Sequence, residues 1–163
     1  MKKILMLVAM SCSLTMARAQ VFFEANLDGL QEAPPNASPA FGLGDFSLTG
    51  TTFSVTTGSY QDLLGGATAV TLNDAAPGVN GPVIFSFTLD TPGAATGTFS
   101  SSTALTGPQI ADLNAGNLYV NIRSQVFPSG EIRGQIFAVP EPATLALAGA
   151  GPLILLAMRR RKA

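Results

Sequence analysis

Asn117-Leu118-Tyr119-Val120-Asn121-Ile122-Arg123-Ser124 and Glu131-Ile132-Arg133-Gly134-Gln135-Ile136-Phe137, separated by Gln125–Gly130, decide the fold. In the first segment Leu118, Val120 and Ile122 alternate with Tyr119, Asn121 and Arg123. In the second, Ile132 and Ile136 fall on one phase and Glu131, Arg133 and Gln135 on the other. A period of two places alternate side chains on opposite faces of a β-strand, so each segment reads as a strand with one apolar face. The intervening stretch, with Pro128 and Gly130, reads as the hairpin turn that pairs them.

The same pattern recurs outward along the chain. Val21–Leu27 opens it; Phe41–Leu48 and Thr52–Ser59 flank a turn at Thr49-Gly50-Thr51. Ala67–Leu72 and Val83–Leu89 flank the Asn-, Asp-, Gly- and Pro-rich stretch 73–82, and Thr96–Leu105 adds a Thr/Ser-rich strand. One short helix interrupts them. Thr106 and Gln109 have capping-box spacing, Pro108 suits a first turn, Ile110 and Leu113 share a face, and Gly116 stops it. The expectation is an all-β fold, an antiparallel β-sandwich of about seven or eight strands with one short helix. Its core-facing set is Phe46, Leu48, Phe53, Val55, Phe85, Phe87, Leu118, Val120, Ile122, Ile132 and Ile136.

Composition fits this and excludes several functions. The 163 residues are 12% charged, with 17 Gly and 11 Pro, about half the charge content of an average globular domain. No His is present, which removes Ser-His-Asp and Cys-His catalytic units and imidazole-bound metal. Charge is segregated. From Gln20 to Glu141, ten acids against Arg123 and Arg133 leave a net charge of −8, which repels phosphate backbones and argues against a nucleic-acid partner.

The two ends are basic and apolar. Lys2-Lys3, the apolar run Ile4–Met10 and Ala17-Arg18-Ala19 read as a signal peptide over 1–19, cut by signal peptidase between Ala19 and Gln20. A rival reading acylates Cys12 after Ala9-Met10-Ser11. With cleavage at Ala19 the exported chain retains no Cys, so no disulfide supports it. At the other end, Val139-Pro140-Glu141-Pro142 leads into an apolar stretch, 143–158, expected to be helical, and then Arg159-Arg160-Arg161-Lys162. Such a helix would be about 24 Å long against a hydrocarbon core of roughly 30 Å, short for a permanent anchor, with its basic end cytoplasmic. Plain permanent anchoring is the alternative.

Pro140-Glu141-Pro142, the short apolar segment and the Arg cluster resemble the PEP-CTERM sorting signal of Gram-negative bacteria, over residues 139–163. The resemblance implies recognition and cutting by an exosortase, an integral-membrane cysteine transpeptidase, and an association with exopolysaccharide. It also implies transient inner-membrane anchoring before release.

The body, residues 20–138, has its own resemblance. Ala67-Thr68-Ala69, Pro77-Gly78-Val79-Asn80-Gly81-Pro82-Val83, Leu118-Tyr119-Val120-Asn121-Ile122 and Gly130-Glu131-Ile132-Arg133-Gly134-Gln135-Ile136 are similar to the CHRD (chordin-type) domain. Members of that family often carry His-x-His after the Ala-Thr-Ala segment and another His after Tyr-Val-Asn-Ile. Here those positions correspond to Thr71-Leu72-Asn73 and Arg123, so the ligands of any such metal site are missing.

Among the residues themselves, Glu131 and Arg133 share a face of one strand, and Asn121 and Arg123 lie on the same face of the neighbour. These four form either a polar face that grips a glycan hydroxyl or a carboxylate, or a cross-strand ion pair worth about 0.2–1 kcal/mol. Asp112–Asn117 fails the calcium-loop pattern at its fifth, sixth and twelfth positions, while Asn73-Asp74 with Asn80-Gly81 offers oxygens that could meet a hard cation. No catalytic residue or cofactor is assigned. The expectation is an exported, non-enzymatic surface or matrix protein interacting with exopolysaccharide or other surface proteins. The alternative is an exported enzyme acting on polysaccharide.

Overall fold

A computed structural model describes residues 20–140. The strands are β1 (Gln20–Asp28), β2 (Phe41–Thr49), β3 (Thr52–Gln61), β4 (Ala67–Asp74), β5 (Val83–Leu89), β6 (Gly97–Ser100), β7 (Ser102–Ala104), β8 (Leu118–Ser124), β9 (Ile132–Gln135) and β10 (Phe137–Ala138). Helix α1 (Gly107–Asn114) precedes β8. The signal peptide read over 1–19 and the apolar helix read over 143–158 lie outside the described residues. Among the described residues no helix is long and apolar enough to cross a membrane.

All pairings are antiparallel, and the sheet closes on itself. The order β1-β2-β3-β6-β5-β4-β8-β9 returns to β1 through Asp28 opposite Arg133. β7 continues β6 along β3 after an irregularity at Ser101, and β10 continues β9 along β1 through Phe23–Ala138 and Glu24–Phe137. The architecture is therefore a closed eight-stranded barrel rather than the two-layer sandwich expected from sequence. Alternation states only which side chains point inward, and inward means the same in both architectures. The choice rests on the first and last strands finding each other, a pairing across the whole domain that no local pattern encodes.

The interior is filled by phenyl rings. Phe46 stacks on Phe53 with centroids 5.0 Å apart and Phe23 meets Phe53 edge-on, while Phe87 bridges Phe46 and Phe99. Nine of the eleven expected core residues are buried, and Val55 and Phe85 are half-buried against them. Phe23, Leu27, Tyr60, Leu72, Phe99 and Leu113 complete the core. The Thr106 N–H donates to Gln109 Oε1 at 2.9 Å, as the capping-box spacing predicts, and Gly116 ends the helix region at φ +74°.

Both ends of the described segment lie at one end of the barrel. Gln20 begins β1, and the Val139 N–H donates to Phe22 O at 2.9 Å, so the chain leaves at Pro140 beside the start of β1. Cuts before Gln20 and after Pro140 would leave every strand whole.

Candidate functional site

β8 is buried on both faces, which a half-buried barrel strand is not. Leu118, Val120 and Ile122 fill the interior, while Tyr119 and Asn121 face outward beneath two long loops. The loop 29–40, from one end of the barrel, and the loop 75–82, from the other, fold over β4, β8 and β9 and meet where Asn80 Nδ2 donates to Ala33 O at 2.6 Å. Between them lies a cleft of about 430 Å³ walled by Leu30, Pro34, Pro35, Pro77 and Gly78 and floored by Arg133, Gln135 and Glu32. A smaller cleft of about 170 Å³ opens on the other side of Glu32–Pro35, lined also by Asn80, Phe127 and Gly130.

Arg133 is the centre of the floor and is 1% exposed. Its guanidinium lies 3.5 Å over the Tyr119 ring and donates to Val79 O (2.8 Å), Ala76 O (3.1 Å) and Gln135 Oε1 (3.0 Å). A planar five-donor fork can stack and bind three acceptors at once. Burial pushes its pKa below the usual value, opposed by Tyr119 and Glu32. Gln135 extends the network, its Nε2 donating to Ala75 O (3.0 Å) and Gly116 O (2.7 Å). Together these two side chains fasten the loop 75–82 to the barrel wall.

Glu131 fastens the other loop. It is fully buried, and its Oε1 accepts from Ser38 Oγ (2.6 Å) and from the Leu64 N–H (2.7 Å), while Asn36 Nδ2 donates to its carbonyl (2.9 Å). Glu32 approaches from the loop 29–40 and is 6% exposed. Its Oε2 accepts from Asn121 Nδ2 at 3.4 Å. Burial raises its pKa from 4.5 to about 7, against the opposing pull of Arg133, an Ala33 hydrogen bond and Arg123. Among the described residues, four buried side-chain polar atoms have no partner: Glu32 Oε1, Asn121 Oδ1, Arg123 Nε and Glu131 Oε2. Gly130 makes the crowding possible, since a Cβ there would sit 2.5 Å from both Glu32 Oε1 and Asn121 Nδ2.

Of the four residues read from sequence, Asn121 is paired opposite Arg133, Arg123 lies further along β8, and Glu131 immediately precedes β9. The face is covered rather than open, and Glu131 and Arg133 make their hydrogen bonds with loop groups, not with each other. Thr71 and Asn73 join the same patch, paired with Asn121 and Tyr119, so the positions that correspond to family histidines converge here with Arg123 on the adjoining strand. Thr71 Oγ1 donates to Asn73 Oδ1 (2.7 Å) and Asn73 Nδ2 to Gly81 O (3.0 Å), so this amide ties the loop 75–82 to β4. Among the described residues no group of three or more His, Cys, Asp or Glu is placed to hold a metal. Glu32 was not legible as a site residue, because nothing local in Gln31-Glu32-Ala33-Pro34-Pro35 says that the loop folds back over the sheet.

A family model described as the CHRD domain matches residues 23–136, nearly the whole barrel. The chain belongs to the CHRD family. The match ends at Ile136, between β9 and β10 of the CHRD barrel, and a second one, to the PEP-CTERM protein-sorting motif, covers residues 138–162. A CHRD domain followed by that motif implies an exported surface protein sorted by an exosortase. No curated protein and no solved structure matches this CHRD chain significantly.

Proposed function

We propose that the CHRD barrel is a non-enzymatic interaction module of the cell surface or extracellular matrix, and that the cleft over Arg133 and Gln135 is its ligand seat. The observation that carries the reading is the cleft's construction. Proline and Leu30 walls enclose a floor offering a carboxyl acceptor, an amide and a guanidinium, all buried and held by the hydrogen bonds of the two loops. Clefts of a few hundred Å³ with few fixed polar groups are the ordinary form of a small-ligand site. Hydroxyl groups both donate and accept, so a floor of this mixed kind suits a saccharide unit of a surface polymer. The acidic domain argues against polyanions.

A carboxyl with a pKa near 7 in a cleft also suits a general acid. Glycoside hydrolysis needs a second carboxylate across the bond, and among the residues lining either cleft Glu32 is the single carboxylate. Glu131 is turned instead toward Ser38 and Leu64. Binding is therefore the preferred reading.

The signals at the two ends complete it. Delivery would begin with removal of 1–19, continue with transient inner-membrane anchoring by the tail, and end with exosortase processing near Pro140–Pro142. The ligand seat is tested by titrating purified surface polysaccharide of the native host into the barrel, residues 20–140, which closes on its own core. Binding is expected, weakened at least tenfold by Leu30→Trp at the cleft mouth, where Leu30 is 76% exposed and free to change without unfolding the barrel. Binding indifferent to that substitution, or absent from the folded barrel, would overturn the proposal.

A further inference from the structure

Glu32 and Asn121 present an unusual pair of vacancies. Glu32 Oε2 accepts from Asn121 Nδ2, yet the companion oxygens, Glu32 Oε1 and Asn121 Oδ1, are both buried acceptors with no donor. Both lie within 2.8 Å of the point where a Cβ on Gly130 would sit, so they occupy one small volume. Two lone-pair-bearing oxygens facing a common buried space repel, and each leaves a hydrogen bond unmade. One proton on Glu32 Oε1 cures both, because a carboxylic acid and a primary amide form a closed pair. The acid O–H donates to the amide oxygen and the amide N–H to the acid carbonyl.

We infer that Glu32–Pro35 is a proton-latched strap over the ligand seat, closed when Glu32 carries a proton donated to Asn121 Oδ1 and released when Glu32 ionises. Its other ties are Asn80 Nδ2 on Ala33 O, Asn36 Nδ2 on Glu131 O, and the Glu32 and Asn36 N–H groups on Gly29 O. It is also the wall between the two clefts, since Glu32, Ala33, Pro34 and Pro35 line both. Release joins them into one groove, so the latch regulates access to the seat.

The charged and titratable groups facing Glu32 are Arg133 from β9, Arg123 from β8 and, in the same patch, Glu131 just before β9. Tyr119, beneath Arg133, accepts from the Gly81 N–H on the facing loop. Burial disfavours the carboxylate and outweighs Arg133, the Ala33 N–H and Arg123, which favour it, and this sets the pKa near 7. The sign follows from linkage. The closed strap binds the proton more tightly than an open one with a solvated Glu32, so closure is favoured in acid, weakens as pH rises from 4.5 to about 7, and levels off above that.

This regulation rests on the cleft being a binding seat, but the latch itself is read without any ligand. Hydrogen exchange of the Glu32 and Asn36 amides, which both donate to Gly29 O, reports the strap directly. After correction for intrinsic rates, their protection in the barrel is expected to fall roughly 100-fold between pH 5 and pH 8. Glu32→Gln replaces the acid by an amide that makes the same two hydrogen bonds at every pH, so its profile should be flat and protected. Protection independent of pH in the native sequence, or a Glu32→Gln profile that follows the native one, overturns the latch. A carboxyl carbon-13 titration of Glu32 in the native sequence stands apart from any folding defect of the variant: a midpoint near 7 supports the latch and one near 4.5 overturns it.

Discussion

Arg133→Met is expected to destabilise the barrel by about 3–5 kcal/mol, measured as the shift in a urea or guanidinium unfolding curve. Methionine keeps the length and the apolar stem, so the loss isolates the guanidinium. Gln135 Oε1 would be left buried without its donor, Val79 O and Ala76 O on the exposed loop would lose theirs, and the Tyr119 face would lose its cation. Against a total stability of about 5–15 kcal/mol for a domain this size, that is a large fraction. Arg133→Lys should recover only part of it, because an ammonium cannot stack flat on the ring while reaching three carbonyl oxygens. Arg133→Met also removes the positive charge that most lowers the Glu32 pKa and should move its titration above 7, in the direction opposite to that charge's present pull. A loss under about 1 kcal/mol would mean that the loop 75–82 is held by something other than Arg133.

Glu131→Ala should cost about 2–4 kcal/mol by the same measurement. Its carboxylate is fully buried and receives the Ser38 hydroxyl and the Leu64 N–H, so truncation strands one donor in each of two loops that pass over the barrel end. Glu131→Gln keeps an acceptor at Oε1 and should be milder. The comparison separates the hydrogen bonds from the charge. If Glu131→Gln is as damaging as Glu131→Ala, the charge carries the effect instead.

How much of this was readable in the residues depends on the range of the interaction. Strand positions were legible because alternation is local: Phe41–Leu48 and Thr52–Ser59 lie inside β2 and β3 with the turn where Thr49-Gly50-Thr51 suggests. Closure was not, because it depends on Asp28 meeting Arg133 across 105 residues, and a sandwich asks for the same pattern. Asn121 facing Arg133 was legible, since two strands and a turn fix which side chains share a face. Their burial was not foreseen. It comes from Asn80 meeting Ala33, a contact between two loops whose Pro and Gly residues advertise turns and say nothing of where those turns land. Glu32 entered the site by that route alone.

The most direct test of an exported, tail-sorted CHRD barrel is the intact mass of the protein from its native host, taken separately from membrane and extracellular fractions. The account predicts an extracellular form that begins at Gln20 and ends near Pro140–Pro142, with β1 to β10 entire. A form that keeps Arg159-Arg160-Arg161-Lys162 and stays in the membrane fraction would contradict it and make the barrel a permanently anchored surface domain.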